Sequence, residues 1–475
     1  MKADLRGRIL RANALHTPQR GTVEALDDAL IEIDTNGIIE AVHRAGTPAH
    51  AETLARAAGR VTTLPARTVL VPGLVDLHIH APQYPQLGTA LDLPLQDWLE
   101  HYTFPLEARY ADPEYARQVY PVLVSDLLAA GTTTAVYFAT LHDAATCMLA
   151  DTCIQQGQRA FVGRVAMDHP DTCPAAYRDS SAEAALAGTR RVIDHIRTHP
   201  DNTDARVRPI ITPRFIPACT DELLAGLGAL AQETGVPVTT HASESDWEQA
   251  HVLARHGCTD TESLDRFGLL PPGTVLAHCC FLTPDDMNRI AERGAGVAHC
   301  PWSNAYFAGA AFPLRRALAA GVHIGLGSDI SGGPVGTVWE TARTALITAR
   351  MLDTGTDPDL PPHLRSANQG AQIDAVTAFW LATAGGAEVL GLPVGHFAAG
   401  QHFDALTIDP IAKGGGLAHW LLADRTDPAR LLESLLHGTA RVNIVAVHVG
   451  GRGCVGQFAH RRPPTHPGPA PASAQ

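Results

Sequence analysis

Lysine is almost missing from this chain of 475 residues: only Lys2 and Lys413 occur, and arginine carries the remaining positive charge. That scarcity removes the carbamylated lysine with which some hydrolases bridge two metal ions, since no lysine lies between those positions. A disulfide framework is also missing. The nine cysteines run from Cys147 to Cys454, an odd number without a Cys-x-x-Cys, and the adjacent Cys279 and Cys280 follow His278 without zinc-finger spacing. A reduced, cytoplasmic interior is the expected compartment. Basic excess is absent too. The formal net charge is −13, which offers no general attraction for nucleic acid or an anionic membrane. No apolar run reaches membrane-spanning length, and the start "MKADLRGRILRANALHTPQ" lacks the apolar stretch of a signal peptide.

What is present is ordinary for a large core, 45% hydrophobic and 18% charged residues. Short strand candidates fill residues 1–68, with Asn36-Gly37 at a hairpin turn, and return after residue 400 in "FDALTIDP" and "VNIVAVHVGGR". Between them, eight apolar strand candidates alternate with helical segments. One such helix, "TDELLAGLGALAQETG", has Thr220 as N-cap and Gly235 as its stop. The rhythm predicts an α/β fold, a (β/α)8 TIM-type barrel over 69–400. A small β-sandwich domain built from both termini, 1–68 and 401–452, would accompany it. Residues 453–475 form a Pro- and Ala-rich tail expected to be disordered.

Several strand candidates run apolar and end in a reactive residue: His78 and His80, Arg214, His241 followed by Glu244, His278, and Asp329. In a barrel enzyme the chemistry sits at those C-terminal strand ends. His78 and His80, two apart, project to one side of their strand. With His241 and Asp329 they form a nitrogen and oxygen donor set for one divalent metal, with zinc expected and iron compatible. Such an ion lowers the pKa of water toward neutrality and so supplies a nucleophile. Asp329 is placed to take the water's proton, Glu244 to shuttle it and His278 to orient the attacking oxygen. The pattern fits hydrolysis of an amidine-like or amide-like C–N bond. Blander readings stand beside these. Glu244 after a strand also suits the cap of the next helix, Gln83 an ordinary loop, and Phe215 core packing.

The segments "PGLVDLHIHAPQY", "LPLQDWLEHYTFPLE", "ITPRF", "THASE", "AHCPWSN" and "GLGSDISGG" together resemble the guanine deaminases of the amidohydrolase superfamily. The likeness spans roughly residues 8–450. It implies His78, His80, His241 and Asp329 as zinc ligands, and Glu244, Asp329 and His278 as catalytic groups. It also implies Gln83, Arg214 and Phe215 as the residues that hold a purine. Gln supplies donor and acceptor, Arg donates, and Phe packs on an aromatic face. The resemblance further implies guanine as substrate, xanthine and ammonia as products, and a homodimer. Other readings stay open: a related aminohydrolase acting on another purine, a pterin or an s-triazine, or a non-catalytic barrel scaffold. Trp302 stands where the family usually has something smaller. Residues 86–110, with Trp98, Tyr102 and Phe104, are either a lid over a flat substrate or a helix packed on the rim.

Overall fold

The apolar run that ends in His-Ile-His does not form one strand. In the computed structural model, which describes residues 4–57, 59–365 and 368–456, it divides at Gly73 into Val69–Pro72 and Leu74–His80. Pro72 has no N–H to continue a ladder. The Gly73 N–H instead reaches the carbonyl of Asp404 at 2.9 Å. A Cβ at Gly73 would stand 2.1 Å from Thr133 Oγ1, so only glycine leaves room for the Thr133 side chain here. Here the chain passes from one sheet to another.

Strands from both ends of the chain share one eight-stranded sheet, in which Val69–Pro72 lies between Ile9–Gln19 and Ala405–Ile408. Its hairpin Thr22–Ile33/Ile39–His43 turns where expected, the Asp34 side chain accepting the N–H groups of Asn36 and Ile38 at 2.8 Å each. Leu10, Leu26, Ile31, Phe397 and Phe403 bury one face. Residues 457–475, most of the expected tail, lie outside the described residues.

The rest is a mixed α/β arrangement of parallel strands. β1 (Leu74–His80), β2 (Thr132–Phe138), β3 (Arg159–Gly163) and β4 (Val207–Pro209) pair in order. β5 (Thr239–Ala242), β6 (Val275–His278), β7 (Gly296–His299) and β8 (His323–Leu326) form a second parallel set. Ile211 joins the two sets, donating to Pro237 at 2.9 Å and accepting from Thr239 at 2.8 Å. Beyond β8, Asp329 donates to the His78 carbonyl and Ile330 accepts from the His80 N–H, both at 2.9 Å. Every residue of β1 is buried, which explains a strand apolar on both faces. Each of its Leu, Val and Ile side chains contributes about 1.5–3 kcal/mol by leaving water. The helix Asp221–Thr234 follows its sequence signals: Thr220 accepts from the Leu223 N–H, and Gly235 closes it at φ 65°.

A buried ion pair ties the parallel strands to the terminal sheet. Arg159, which opens β3, donates to Asp404 at 3.0 and 3.2 Å, and Asp404 also accepts from the Gly450 N–H at 2.7 Å. Among the described residues no helix is long and apolar enough to cross a membrane, and the eight cysteines from Cys147 to Cys300 form no disulfide.

A buried histidine gives this sheet a pH dependence. His16, on Ile9–Gln19, accepts the Phe397 N–H through Nδ1 at 3.2 Å, near His396, Glu24 and Arg44. Burial first, then the positive charge of neighbours, pulls its pKa from 6.5 down to about 3. A depressed histidine stays neutral when folded and takes a proton when unfolded. Its stabilisation is therefore complete above pH 6.5 and falls between 6.5 and about 3. The expected slope is about 1.4 kcal/mol per pH unit from this group. Urea titrations at pH 7.5, 6 and 5 check it; His16→Asn should flatten the profile by that amount.

Candidate active site

The strand ends bring the reactive residues to one place. His78 and His80, two apart on β1, both face the end of β8, where Asp329 Oδ1 lies 3.2 Å from His78 Nε2 and 3.5 Å from His80 Nε2. His241, on β5, brings its Nε2 to 2.9 Å from His80 Nε2. His278, at the end of β6, stands 3.9 Å from Asp329 Oδ2 and 3.7 Å from Glu244 Oε1. All these side chains are buried or nearly so. His278 and Asp329 hold backbone φ of 71° and 50°, left-handed conformations that non-glycine residues rarely adopt, which turn their side chains inward at the strand ends. Gly327 makes room for this. A Cβ there would come within 2.8 Å of both His78 Cβ and Cys300 Sγ.

These donors fit a divalent metal ion. The buried Nε2 atoms of His78 and His278 have no hydrogen-bond partner in the protein, so their lone pairs are left for a ligand. His78, His241 and His278 converge within 4.8 Å, as do His78, His80 and Asp329. Outer hydrogen bonds set the tautomers. His241 Nδ1 donates to the Arg214 carbonyl at 2.6 Å, and His278 Nδ1 to Asn304 Oδ1 at 3.0 Å, leaving Nε2 of each toward the centre. Burial pulls the pKa of His80 and His241 well below the ordinary range, so both rings are neutral and able to ligate.

The two carboxylates differ. Burial raises the pKa of Glu244, with His278 opposing it. Burial also works against the charge on Asp329, but His78, His278 and His80 outweigh it and hold that carboxyl well below its usual value. The two carboxyls are thus pushed in opposite directions, Glu244 toward its neutral form and Asp329 toward its ionised one, a division that suits proton delivery and acceptance. Glu244 is not the cap of the following helix; Ser245 is, accepting from the Glu248 N–H.

A cavity of about 430 Å³ opens over this cluster, lined by His80, Gln83, Arg214, Phe215, Glu244 and Asp329 among others. Gln83, Arg214 and Phe215 thus stand in the same space as the polar cluster. Phe215 lies beside Trp247, with ring centres 6.2 Å apart. The excursion over 86–110 folds as short helices across the cavity: Leu95, Trp98, Leu99 and Phe104 line it, while Tyr102 points to solvent. Trp302 lies outside the lining and packs on Gly333; its neighbour Ser303 lines the cavity instead. His101, His142, His169 and His299 take no part in the lining.

Two residues that sequence reasoning passed over support the site. Asn304 orients His278. Glu107, fully buried, accepts from Arg214 at 2.7 and 3.2 Å and from Gln83 Nε2 at 2.8 Å. Its only sequence signal was a carboxylate in the first turn of a short helix, which ordinarily answers the helix dipole.

The amidohydrolase family profile matches residues 69–452. A probable guanine deaminase of Schizosaccharomyces pombe is 38% identical, over 92% of this chain and 81% of its own length. The chain belongs to the amidohydrolase family, in its guanine deaminase group. Among solved structures, a guanine deaminase from C. acetobutylicum with guanine bound in its active site superposes with a TM-score of 0.82. It shares 30% identity and covers 94% of this chain and 99% of its own. An adenosine deaminase from Xanthomonas campestris with bound zinc gives a TM-score of 0.78 at 25% identity, covering 95% of this chain and 93% of its own.

Proposed function

We propose that this protein is an enzyme that hydrolyses guanine to xanthine and ammonia. The observation that carries the reading is the sharing of one cavity by a metal-type donor cluster, the Glu244 carboxyl and the polar side chains of Gln83 and Arg214. His78, His80, His241 and Asp329 would hold one zinc ion, with Fe2+ compatible with the same donors. When bound, the ion supplies a hydroxide nucleophile at neutral pH. Phe215 packs on the purine face, and Arg214 donates to an acceptor atom of the ring edge. His278 orients the attacking oxygen as it approaches C2. Asp329 takes the water's proton, and Glu244 protonates N3 as the new C–O bond forms. The tetrahedral carbon then collapses: Glu244 takes the proton of the new C2 hydroxyl and hands it to the amine, the C2–N bond breaks with loss of ammonia, the C2 carbonyl forms, and the proton held by Asp329 returns to Glu244.

The same reading closes the eight parallel strands into a (β/α)8 barrel spanning 69–400. The Ile211 and Asp329 hydrogen bonds at the two seams support it. It folds the terminal sheet of 1–68 and 401–452 into a small sandwich, with Val69–Pro72 as the strand that joins the units. Eight cysteines without a disulfide, Cys147 to Cys300, support a cytoplasmic setting. Exposed Ile347 and Met351 on one helix support a homodimer.

Ammonia release and ultraviolet absorbance, followed over guanine, adenine, a pterin and an s-triazine, test the assignment. Turnover is expected on guanine. Guanine left intact while another ring is consumed would assign the site to that ring instead.

A further inference from the structure

Glu107 occupies a position that the reaction itself does not require. It lies on the short helix Phe104–Ala108, touches neither the metal-type cluster nor Glu244, and is fully buried. A carboxylate is costly to bury without partners. Its partners here are Tyr177 and the two cavity-lining groups assigned to the purine, Arg214 and Gln83. Arg214 Nη1 and Nη2 donate to its two oxygens at 2.7 and 3.2 Å, a fork that fixes the guanidinium plane. Phe104, from the same helix, lies under that guanidinium at 5.1 Å. Gln83 Nε2 donates to Glu107 Oε1 at 2.8 Å, while Gln83 Oε1 accepts the Ser331 N–H at 3.2 Å.

This arrangement forbids a flip of the Gln83 amide. Reversed, its oxygen would face a carboxylate and its NH2 would face an N–H. Gln83 therefore keeps one orientation, and Arg214, which lines the cavity, is held in one plane as a donor-only group. A base edge carrying a carbonyl oxygen offers an acceptor to the N–H groups that Glu107 does not use, whereas an edge without one leaves those N–H groups without a partner.

Resting on the guanine reading above, we propose that Glu107 is the positioning residue that makes this site select purines bearing an oxygen at C6. It acts through Arg214 and Gln83 and touches no reacting atom. Its loss falls on binding of that oxygen and leaves the chemical step alone.

The test compares guanine with 2-aminopurine, which keeps the C2 amine but lacks the C6 oxygen. In Glu107→Gln, KM for guanine should rise by about 10–100-fold, the worth of one charge-assisted hydrogen bond, with kcat within about threefold. The inhibition constant of 2-aminopurine against guanine turnover should change by less than about threefold, because that ligand never used the oxygen contact. Glu107→Asp keeps the charge and should retain more selectivity than E107Q. If E107Q yields no folded protein, E107D is compared with the native enzyme in the same two measurements, with the loss again confined to guanine. Equal weakening of both ligands, a loss in kcat instead of KM, or unchanged guanine kinetics would overturn the proposal. Failure of the underlying reading looks different: the native protein would release no ammonia from guanine.

Discussion

Glu244→Gln is expected to lower kcat on guanine by about 10²–10⁴-fold, the usual contribution of a positioned proton carrier, and to leave the fold and metal content intact. The reason is local. Glu244 Oε1 stands 3.7 Å from His278 Nε2, beyond hydrogen-bond distance, and the carboxyl is already held toward its neutral form by burial. The amide has the same shape and removes no charge that the native state needs, so folding should be unaffected. What it lacks is a transferable proton for N3 and the leaving amine. Single-turnover kinetics, metal analysis and a thermal melt on one preparation check all three expectations. A variant that keeps more than about a tenth of native kcat would place the proton carrier elsewhere.

The second large effect concerns the donor cluster. His241→Ala should lose bound metal and guanine turnover together, and dialysis against a chelator should abolish activity that added zinc or ferrous iron restores. Asn304→Ala gives the graded comparison. Asn304 holds the Nδ1 of His278, which orients the attacking oxygen, at 3.0 Å, so its loss should lower turnover by roughly 10–100-fold, as for other outer hydrogen bonds, and leave the metal content unchanged. The His241 change should exceed that range. Metal content by plasma emission and turnover on guanine are the two readouts. A His241→Ala protein that retains full metal would remove this histidine from the ligand set.

Much of the candidate site was legible because its residues obey local rules. Two histidines at a period of two must share a strand face, and reactive residues at the ends of apolar runs converge when those runs are parallel. Glu244 followed from its distance to His241. The supporting residues obey no such rule. Glu107 reaches Arg214 only because a long excursion folds back across the cavity, and in its own helix it looks like an ordinary acidic first turn. Asn304 reads as loop until the close of β7 sets it against His278. The division of Val69–His80 was hidden for a related reason. Both halves are buried, so hydropathy runs unbroken across Gly73, and only the partner strands differ.

That division bears on the order in which the protein matures. Val69–Pro72 is gripped on one side by Ala405–Ile408, and the Gly73 N–H that starts the next strand is held by Asp404. During synthesis the His78/His80 strand would leave the ribosome hundreds of residues before its clasp. A nascent chain cut short of that clasp would carry all the ligands yet have a loosely anchored centre.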